Sequence, residues 1–404
     1  MYDDSKIRCE VCGKLFHQLS VHLSSAHKMS VAEYSREWPD APIMSKYNEE
    51  KMRMAARRPK TPKEEAPAAV ASVAVAVAVE EEPATVVGGR VHAEVLNIGA
   101  AKVPVLDSLA EQDVACVPEH DPSYIVSEDV IGAIALGIEL YENVLMVGPT
   151  GTGKTSSVQA IGAILNWPIT RINLNGDTVA ADLIGDVQVV IDPESGHAVT
   201  HWQDGPLVTA MRRGHIVIID EVDSANPSVL FVLQRLTERH PDPAGAVAAG
   251  RPHASILLPD GTVVGAHPHF RLVATANTVG SGDLSGDYAA TNVLNQAFLD
   301  RWGIKLRISY PAADEWATIL TAKTGLDAAN AVKMVAVANK INKSKADGHC
   351  RLQISPRRTI TWARLLQRTS AKLAIEMAVL NGLDPSDPDR QFALDAVKHV
   401  FGAI

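Results

Sequence analysis

The sequence predicts an α/β protein built on a mainly parallel sheet, and three observations support this fold class. Apolar runs typical of buried strands alternate with helical stretches over residues 114–309. Hydrophobic residues make up 46% of the chain and aromatic residues only 5%, which suits helices packed on a buried sheet. A glycine-rich loop at 148–155 joins an apolar strand to a helix, as phosphate-binding α/β domains require.

Changes in composition divide the 404 residues into four predicted segments. Residues 1–58 form a small domain that contains two closely spaced cysteines. Residues 59–113 are rich in Pro, Ala, Val and Glu, which favours an extended, poorly ordered linker. The α/β core follows over 114–309. Amphipathic patterns then predict a helical domain over 310–404.

Each predicted strand of the core is a short apolar run bounded by polar or turn-forming residues. These strands cover residues 144–147, 169–174, 216–220, 270–276 and 304–308. The helical patterns of the C-terminal domain cover residues 314–324, 328–341 and 359–380. Strands connected by helices favour parallel pairing, because a parallel pair needs a long crossover connection.

The glycine-rich loop predicts nucleotide binding. Its glycines let successive backbone N–H groups turn inward around a polyphosphate. Lys154 can reach the β and γ phosphates, and the Thr155 hydroxyl can ligate magnesium. We therefore expect ATP or GTP with magnesium as cofactors. The loop consists of Gly148, Pro149, Thr150, Gly151, Thr152, Gly153, Lys154 and Thr155.

Polar residues at the ends of two later strands fit catalysis at this loop. Asp220 ends an apolar strand and can hold a magnesium-bound water, while Glu221 can polarise the water that attacks the γ-phosphate. Asn277 ends the next strand and can hydrogen-bond that water or the γ-phosphate. Taken alone, Asn277 could simply terminate its strand in a turn.

Two arginines follow in the order that such a site needs. Arg301, after an apolar helical stretch, could stabilise charge on the nucleotide of a neighbouring subunit. The alternative is a surface ion pair with Asp300. Arg357 lies in the segment 355–358 that opens a helix, from which its guanidinium could reach back to the phosphates. An arginine at a helix start is otherwise unremarkable, so its phosphate role stays open.

The order of these motifs resembles the AAA+ ATPases of the MoxR group, and most of all the cobaltochelatase subunits of the CobS type. The resemblance implies a five-stranded parallel core with a helical lid, assembled into a ring, expected to be a hexamer, with ATP at each subunit interface. It also implies insertions at 182–203 and 258–263. In this family, ATP-driven movement of such insertions acts on a bound client protein. The matching stretches are 165–168, 171–174, 182–185, 231–235, 267–272, 274–280 and 355–357.

The resemblance implies a role for each matching residue of the ATP site. The loop with Lys154 and Thr155 binds phosphate and magnesium, and Asp220 supports the metal. Glu221 activates water and Asn277 is the first sensor. In the same way, Arg301 is implied to act on the neighbouring subunit's nucleotide and Arg357 to be the second sensor.

The N-terminal domain predicts a zinc site made by Cys9, Cys12, His22 and His27. Residues 9–58 resemble the Ros/MucR zinc-finger regulators, which implies DNA binding. Residues 1–63 carry twelve Lys and Arg against eight Asp and Glu, a modest excess that is also compatible with a solvated helix face. Protein docking and a purely structural role therefore stay open beside DNA binding.

Two functions follow from these features. The first is an ATP-hydrolysing ring motor that remodels a partner protein, with a CobT-like partner and metal-chelatase-type chemistry implied by the resemblance. The alternative is a DNA-associated AAA+ ATPase directed to DNA by the zinc finger. The chain opens without a signal peptide and contains no apolar run of about 20 residues, so we expect a cytoplasmic protein.

Overall fold

The computed structural model describes most of the α/β core and the helical domain, and part of the N-terminal region. By its contacts the chain divides into two compact units, Met1–Val70 and Ala71–Ile404. His22, most of the predicted linker and residues 192–195 of the insertion expected at 182–203 lie outside the described residues. The described residues are 7–12, 14–16, 23, 27, 29, 31–39, 41–42, 86–87, 90–91, 95–107, 109–125, 127–191, 196–238, 240–278, 280 and 291–402.

Among its described residues, the first unit contains a short hairpin and a helix. Strand β1 (Ile7–Arg8) pairs antiparallel with β2 (Leu15–Phe16), and helix α1 spans Val31–Glu37. Tyr34 is buried, and its hydroxyl accepts a hydrogen bond from the Glu10 backbone N–H at 2.9 Å. This bond ties the helix to the loop of the hairpin.

A parallel five-stranded sheet forms the centre of the second unit, in the order β15–β7–β14–β11–β8. The three central strands are buried along their whole length, which is why their sequences are mostly apolar rather than alternating. The prediction of a five-stranded α/β core is confirmed. Its strands are β7 (Val144–Val147), β8 (Ile169–Asn173), β11 (Ile216–Asp220), β14 (Arg271–Ala276) and β15 (Ile304–Arg307).

Three further hairpins precede or interrupt this sheet. They are β3–β4 (Val86–Val87 with Arg90–Val91), β5–β6 (Val95–Ile98 with Ala101–Pro104) and β9–β10 (Gly185–Ile191 with Ala198–Asp204). A short ribbon, β12–β13, pairs Ser255–Leu257 with Val263–Gly265. Except for Asp204, the β9–β10 hairpin lies within the insertion expected at 182–203, and the turn of β12–β13 lies within the one expected at 258–263.

Helices cover both faces of the sheet. Alternate residues of β11 face opposite sides, so that Val217 and Ile219 pack in one core and Ile216 and Ile218 in the other. Helices α3 and α4 cover the second face, and α6 and α7 cover the first. The helices are α2 (Glu111–Val114), α3 (Glu128–Glu139), α4 (Lys154–Ile164), α5 (Ala180–Ile184), α6 (Pro206–Arg213), α7 (Pro227–Thr237), α8 (Pro243–Ala248) and α9 (Gln296–Asp300).

The β5–β6 hairpin differs from the expectation of an unstructured linker over 59–113. Leu96, Ile98 and Val103 are buried in the same core as helix α3. Each strand has only four residues. An alternation of apolar and polar residues this short does not distinguish a strand from a linker. The packed region therefore begins by residue 95.

The C-terminal helices form a separate core of their own, called the lid below. Trp316 and Trp362 are fully buried at its centre, and the Trp316 indole donates to Thr359 Oγ1 at 2.9 Å. Among the described helices of the whole chain, none is both long and apolar enough to cross a membrane. The lid helices are α10 (Ala313–Thr324), α11 (Ala328–Ala346), α12 (Pro356–Leu366), α13 (Ala371–Ala378) and α14 (Pro388–Phe401).

Candidate functional site

The glycine-rich loop connects the end of β7 to the start of α4. Gly151 and Gly153 adopt left-handed backbone angles, with φ of 80° and 92°, which favour glycine. A Cβ on Gly148 would lie 2.0 Å from the carbonyl oxygen of Ile308, so a side chain has no room there. The loop therefore needs these glycines to turn and to pass close to β15.

Lys154 lies across the loop with its ammonium inside it. Its Nζ donates to the carbonyl oxygen of Gly148 at 2.6 Å, to that of Pro149 at 3.1 Å and to Oδ1 of Asn277 at 3.2 Å. Burial lowers the pKa of Lys154 to about 8, while the nearby Asp223, Asp220 and Glu221 act in the opposite direction. All three acceptors are uncharged, so an anionic phosphate oxygen would compete for the ammonium effectively.

Asp220 and Thr155 meet at the other end of the loop. Asp220 Oδ1 accepts hydrogen bonds from Thr155 Oγ1 at 2.8 Å and from Thr275 Oγ1 at 2.7 Å. Its second oxygen forms an ion pair with Nε of Arg171. A hydroxyl beside a carboxylate is an oxygen donor set that suits magnesium, which when bound would neutralise charge on the phosphates.

Glu221 has a backbone conformation that is unusual for its residue type. Its φ is 58°, in the left-handed region that non-glycine residues rarely occupy. The Glu221 N–H donates to Thr275 Oγ1 at 3.2 Å, and the side chain is exposed. The carboxylate therefore lies exposed just after the end of β11, next to the buried Asp220 in sequence. Strained backbone at a strand end is common where a side chain must be presented for chemistry.

Asn277 is held at the loop from both sides. Its Oδ1 lies 3.5 Å from Thr150 Oγ1 and also accepts from Lys154. Its backbone N–H donates to Oδ2 of Asp223 at 3.0 Å, and the same oxygen accepts from the Thr278 N–H at 2.8 Å. Asp223 is fully buried, and sequence analysis gave it no role. The structure thus places Asn277 beside Lys154.

The two arginines lie in different surroundings. A Cβ on Gly151 would lie 3.5 Å from the Cβ of Arg357, so the start of α12 packs directly against the loop. Arg301 instead donates to the Ala297 carbonyl at 2.6 Å and forms an ion pair with Glu238 at 3.4 Å. None of its contacts with described residues involves the loop of its own chain. Its ion-pair partner is Glu238 and not the neighbouring Asp300.

Besides Asp223, the residues that contact the site without a role predicted from the sequence include Thr275, Arg171 and Tyr124. Thr275 bonds both Asp220 and Glu221, and Arg171 pairs with Asp220. Tyr124 donates to the carbonyl oxygen of Gly153 at 3.1 Å. Thr275 was open to prediction, because it lies two residues before Asn277 and so shares its face of the strand. Arg171 and Tyr124 come close to the site only when the chain folds, so no local sequence pattern predicts their contacts.

In the first unit, three predicted zinc ligands come together. One ligand atom from each of Cys9, Cys12 and His27 lies within 4.8 Å of the other two. Cys9 Sγ and His27 Nε2 are 3.7 Å apart. Ligand atoms of tetrahedral zinc lie about 3.3–3.8 Å apart, given zinc–sulfur and zinc–nitrogen bonds of about 2.3 and 2.0 Å. The donor types of the three residues and the distance between Cys9 and His27 therefore fit zinc.

Two family models match the second unit. The model described as "AAA domain (dynein-related subfamily)" matches residues 143–301, which include the loop, Asp220 and Asn277. The model described as "CbbQ/NirQ/NorQ C-terminal" matches residues 317–401 in the lid. The two matches adjoin in the order core, then lid.

Two relatives, CobS and CbbQ, support the same relationship. The chain is 37% identical over 254 residues to the aerobic cobaltochelatase subunit CobS of Sinorhizobium sp., covering 62% of this chain and 72% of that protein. It is 33% identical over 284 residues to protein CbbQ of Hydrogenophilus thermoluteolus, covering 68% of this chain and 95% of that protein. A solved structure of the Thermotoga maritima RuvB Holliday junction branch migration motor is 17% identical, with a TM-score of 0.39, and covers 70% of this chain and 72% of that one.

The extent of the match to CobS and CbbQ decides the classification. Together with the two family models, it supports ATP hydrolysis as the chemistry of this fold. The parallel sheet, the glycine-rich loop and the helical lid that packs on it agree with that assignment. The chain belongs to the MoxR-type AAA+ ATPases, the family that includes CobS and CbbQ.

Proposed function

We propose that this chain works as a ring of identical subunits, hexameric by resemblance, that uses ATP hydrolysis to remodel a partner protein. The observation that carries the proposal is a glycine-rich loop whose Lys154 and Thr155 contact Asn277 and Asp220, in the same unit as an exposed apolar hairpin, β9–β10. The loop and its contacts can consume ATP. The hairpin offers a surface through which movement of the subunit can act on another chain.

Each residue of the ATP site has a proposed role that its contacts support. The loop 148–155 binds the phosphates, while Thr155 and Asp220 hold magnesium. Glu221 takes the proton of the attacking water, since its carboxylate is exposed at the end of β11. Asn277 and Arg357 detect the γ-phosphate. Arg301 acts on the nucleotide of the adjacent subunit, since its contacts among the described residues are with Ala297 and Glu238 and not with its own loop.

The β9–β10 hairpin has one strongly apolar face. Val187, Val189 and Ile191 alternate along β9 and are 51%, 71% and 72% exposed. Their partners across the ribbon are Trp202, Thr200 and Ala198. Apolar side chains exposed on a two-stranded ribbon do little to stabilise the ribbon itself. A group of exposed apolar side chains is instead typical of a surface that contacts another molecule. We propose that this face contacts the partner protein.

The test replaces Val187, Val189 and Ile191 together by Thr, which keeps the branched shape and removes apolar surface. ATP turnover is measured with and without carboxymethylated α-lactalbumin, a permanently unfolded protein. We expect stimulation in the wild type, loss of stimulation in the triple variant, and retention in the control Val190→Thr on the opposite face. Stimulation by double-stranded DNA alone, falling as salt rises, would contradict the proposal.

The partner's chemistry is proposed from the CobS relative, which is named as a cobaltochelatase subunit. A CobT-like partner protein would then carry the metal-insertion reaction, with the metal ion as substrate rather than as a cofactor of this chain. Neither the matched families nor the relatives support the alternative in which the ring is directed to DNA. The protein-remodelling function is therefore the one we propose.

For the first unit we propose a structural zinc ion held by Cys9, Cys12 and His27, with His22 as the fourth ligand. The donor set and the spacing of the three described ligands support it. Cys9 is fully buried, as expected of a ligand at the centre of a small domain. Such domains obtain much of their folding free energy from the metal.

Changing Cys9 and Cys12 to Ser should release zinc and unfold the first unit. We expect basal ATP turnover to stay close to that of the wild type, because every proposed ATP-site residue lies in the other unit. Zinc content by atomic absorption and the NMR spectrum of the full chain would check this. Cys116→Ser is the matched control and should retain zinc; a zinc-free wild type would refute the site.

A further inference from the structure

A short segment before α3 connects the lid to the phosphate loop. The Lys323 ammonium, near the end of lid helix α10, forms an ion pair with the Asp121 carboxylate. The same ammonium lies 5.3 Å from the centre of the Tyr124 ring, within the range of a cation–π contact. The side chain of Lys323 is only 18% exposed, so this pair is partly shielded from solvent.

Asp121 and Tyr124 are fixed relative to each other. The Tyr124 N–H donates to the Asp121 carbonyl at 3.0 Å, which closes a turn. Asp121 Oδ1 accepts from the Ser123 N–H at 3.0 Å and from Ser123 Oγ at 2.6 Å. Bonds from Lys323 and Ser123 lower the pKa of Asp121 to about 2, so the carboxylate is ionised at neutral pH.

Tyr124 contacts the phosphate loop at a critical peptide group. Its hydroxyl donates to the Gly153 carbonyl oxygen at 3.1 Å and lies 3.3 Å from Ser157 Oγ. The Gly153 carbonyl and the Lys154 N–H belong to one planar peptide and point in opposite directions. Holding the carbonyl therefore aims the Lys154 N–H, one of the free donors at the helix start that faces a phosphate.

Two other donors to the Gly153 carbonyl belong to helix α4 itself. They are the Ser157 N–H at 2.8 Å and Ser157 Oγ at 3.0 Å. Tyr124 is the donor that comes from outside the helix among the described residues. A Cβ on Gly153 would lie 2.8 Å from the Tyr124 hydroxyl, so the phenol packs tightly against the loop. A shift of Tyr124 would therefore change the packing and hydrogen bonding of the peptide between Gly153 and Lys154.

We propose that Tyr124 is a positioning residue of the phosphate loop and that the Asp121–Lys323 ion pair links it to the lid, so that lid position controls nucleotide affinity. When α10 moves away, Lys323 leaves Asp121 and the ring of Tyr124, and the Gly153 peptide loses its external donor. This inference rests on the proposed phosphate-binding role of the loop.

The experiment is a double-mutant cycle on the full-length chain. Lys323→Met keeps the aliphatic stem and removes the charge, Asp121→Asn keeps the acceptor for Ser123, and Tyr124→Phe keeps the ring and removes the donor. The dissociation constant of a fluorescent, methylanthraniloyl-labelled ATP is measured for each variant. The kcat and KM of ATP hydrolysis are measured beside it, and thermal melting shows that each variant folds.

We expect each single change to weaken nucleotide binding about fivefold and to raise KM more than it lowers kcat. The effect of Lys323→Met should disappear in the Tyr124→Phe background, because both act through the same peptide. Lys340→Asp, an exposed lid charge change, should leave affinity unchanged. A merely structural role of Lys323 would not produce this dependence on Tyr124.

Two results would overturn the inference: single variants that bind like the wild type, or effects of Lys323→Met and Tyr124→Phe that simply multiply. Its failure is separable from that of the ATP site. If Lys154→Ala still binds the labelled ATP, the phosphate-binding role of the loop is wrong. If Lys154→Ala abolishes binding while the cycle is multiplicative, only the link to the lid is wrong.

Discussion

Replacing Glu221 by Gln should reduce ATP turnover on the order of 10²- to 10⁴-fold, the usual contribution of a general base. The carboxamide has the shape of the carboxylate but cannot take a proton from water. Glu221 is exposed, and in the part of the chain that the structure describes it forms no side-chain bond that the change would break. Folding and ATP binding should therefore persist.

The measurement is steady-state ATP hydrolysis together with binding of labelled ATP. Glu128→Gln makes the same chemical change at an exposed position at the start of α3, and should leave both quantities unchanged. Turnover of Glu221→Gln at the wild-type rate would show that another group activates water. Loss of binding would instead place Glu221 in the nucleotide-binding structure.

The central strands could be predicted closely from the sequence. The strands at 144–147 and 216–220 have the predicted bounds, because they are continuous apolar runs between polar turns. The lid was less predictable. The helical pattern over 359–380 is divided between α12 and α13, because Ser370 caps a new helix by accepting from the Leu373 N–H. A single period count does not detect such a cap.

The site divides in the same way into local and tertiary parts. Lys154, Thr155 and Asp220 follow from motifs, since each lies at a strand or helix end that the sequence defines. The contact of Tyr124 with Gly153 joins residues 29 positions apart. No spacing rule identifies it, because it depends on how the segment before α3 packs on the loop. The buried Asp223 is a similar case.

Replacing Arg301 by Ala should lower turnover on the order of 10³-fold if the guanidinium acts as an arginine finger. We propose action on a neighbour because, among the described residues, this side chain bonds Ala297 and Glu238 rather than its own loop. Binding of labelled ATP should be retained, since the loop is intact. Loss of assembly instead of turnover would assign Arg301 to the subunit interface alone.

Shared ATP sites in a ring can be tested by mixing two inactive variants, Arg301→Ala and Lys154→Ala, before assembly and measuring ATP turnover. A site is active only if its own loop is intact and its neighbour supplies Arg301. Random equal mixing should therefore restore about a quarter of wild-type turnover, because each of two independent conditions is met about half the time. Recovery near this level would support a ring with shared ATP sites. No recovery in co-assembled rings would contradict it.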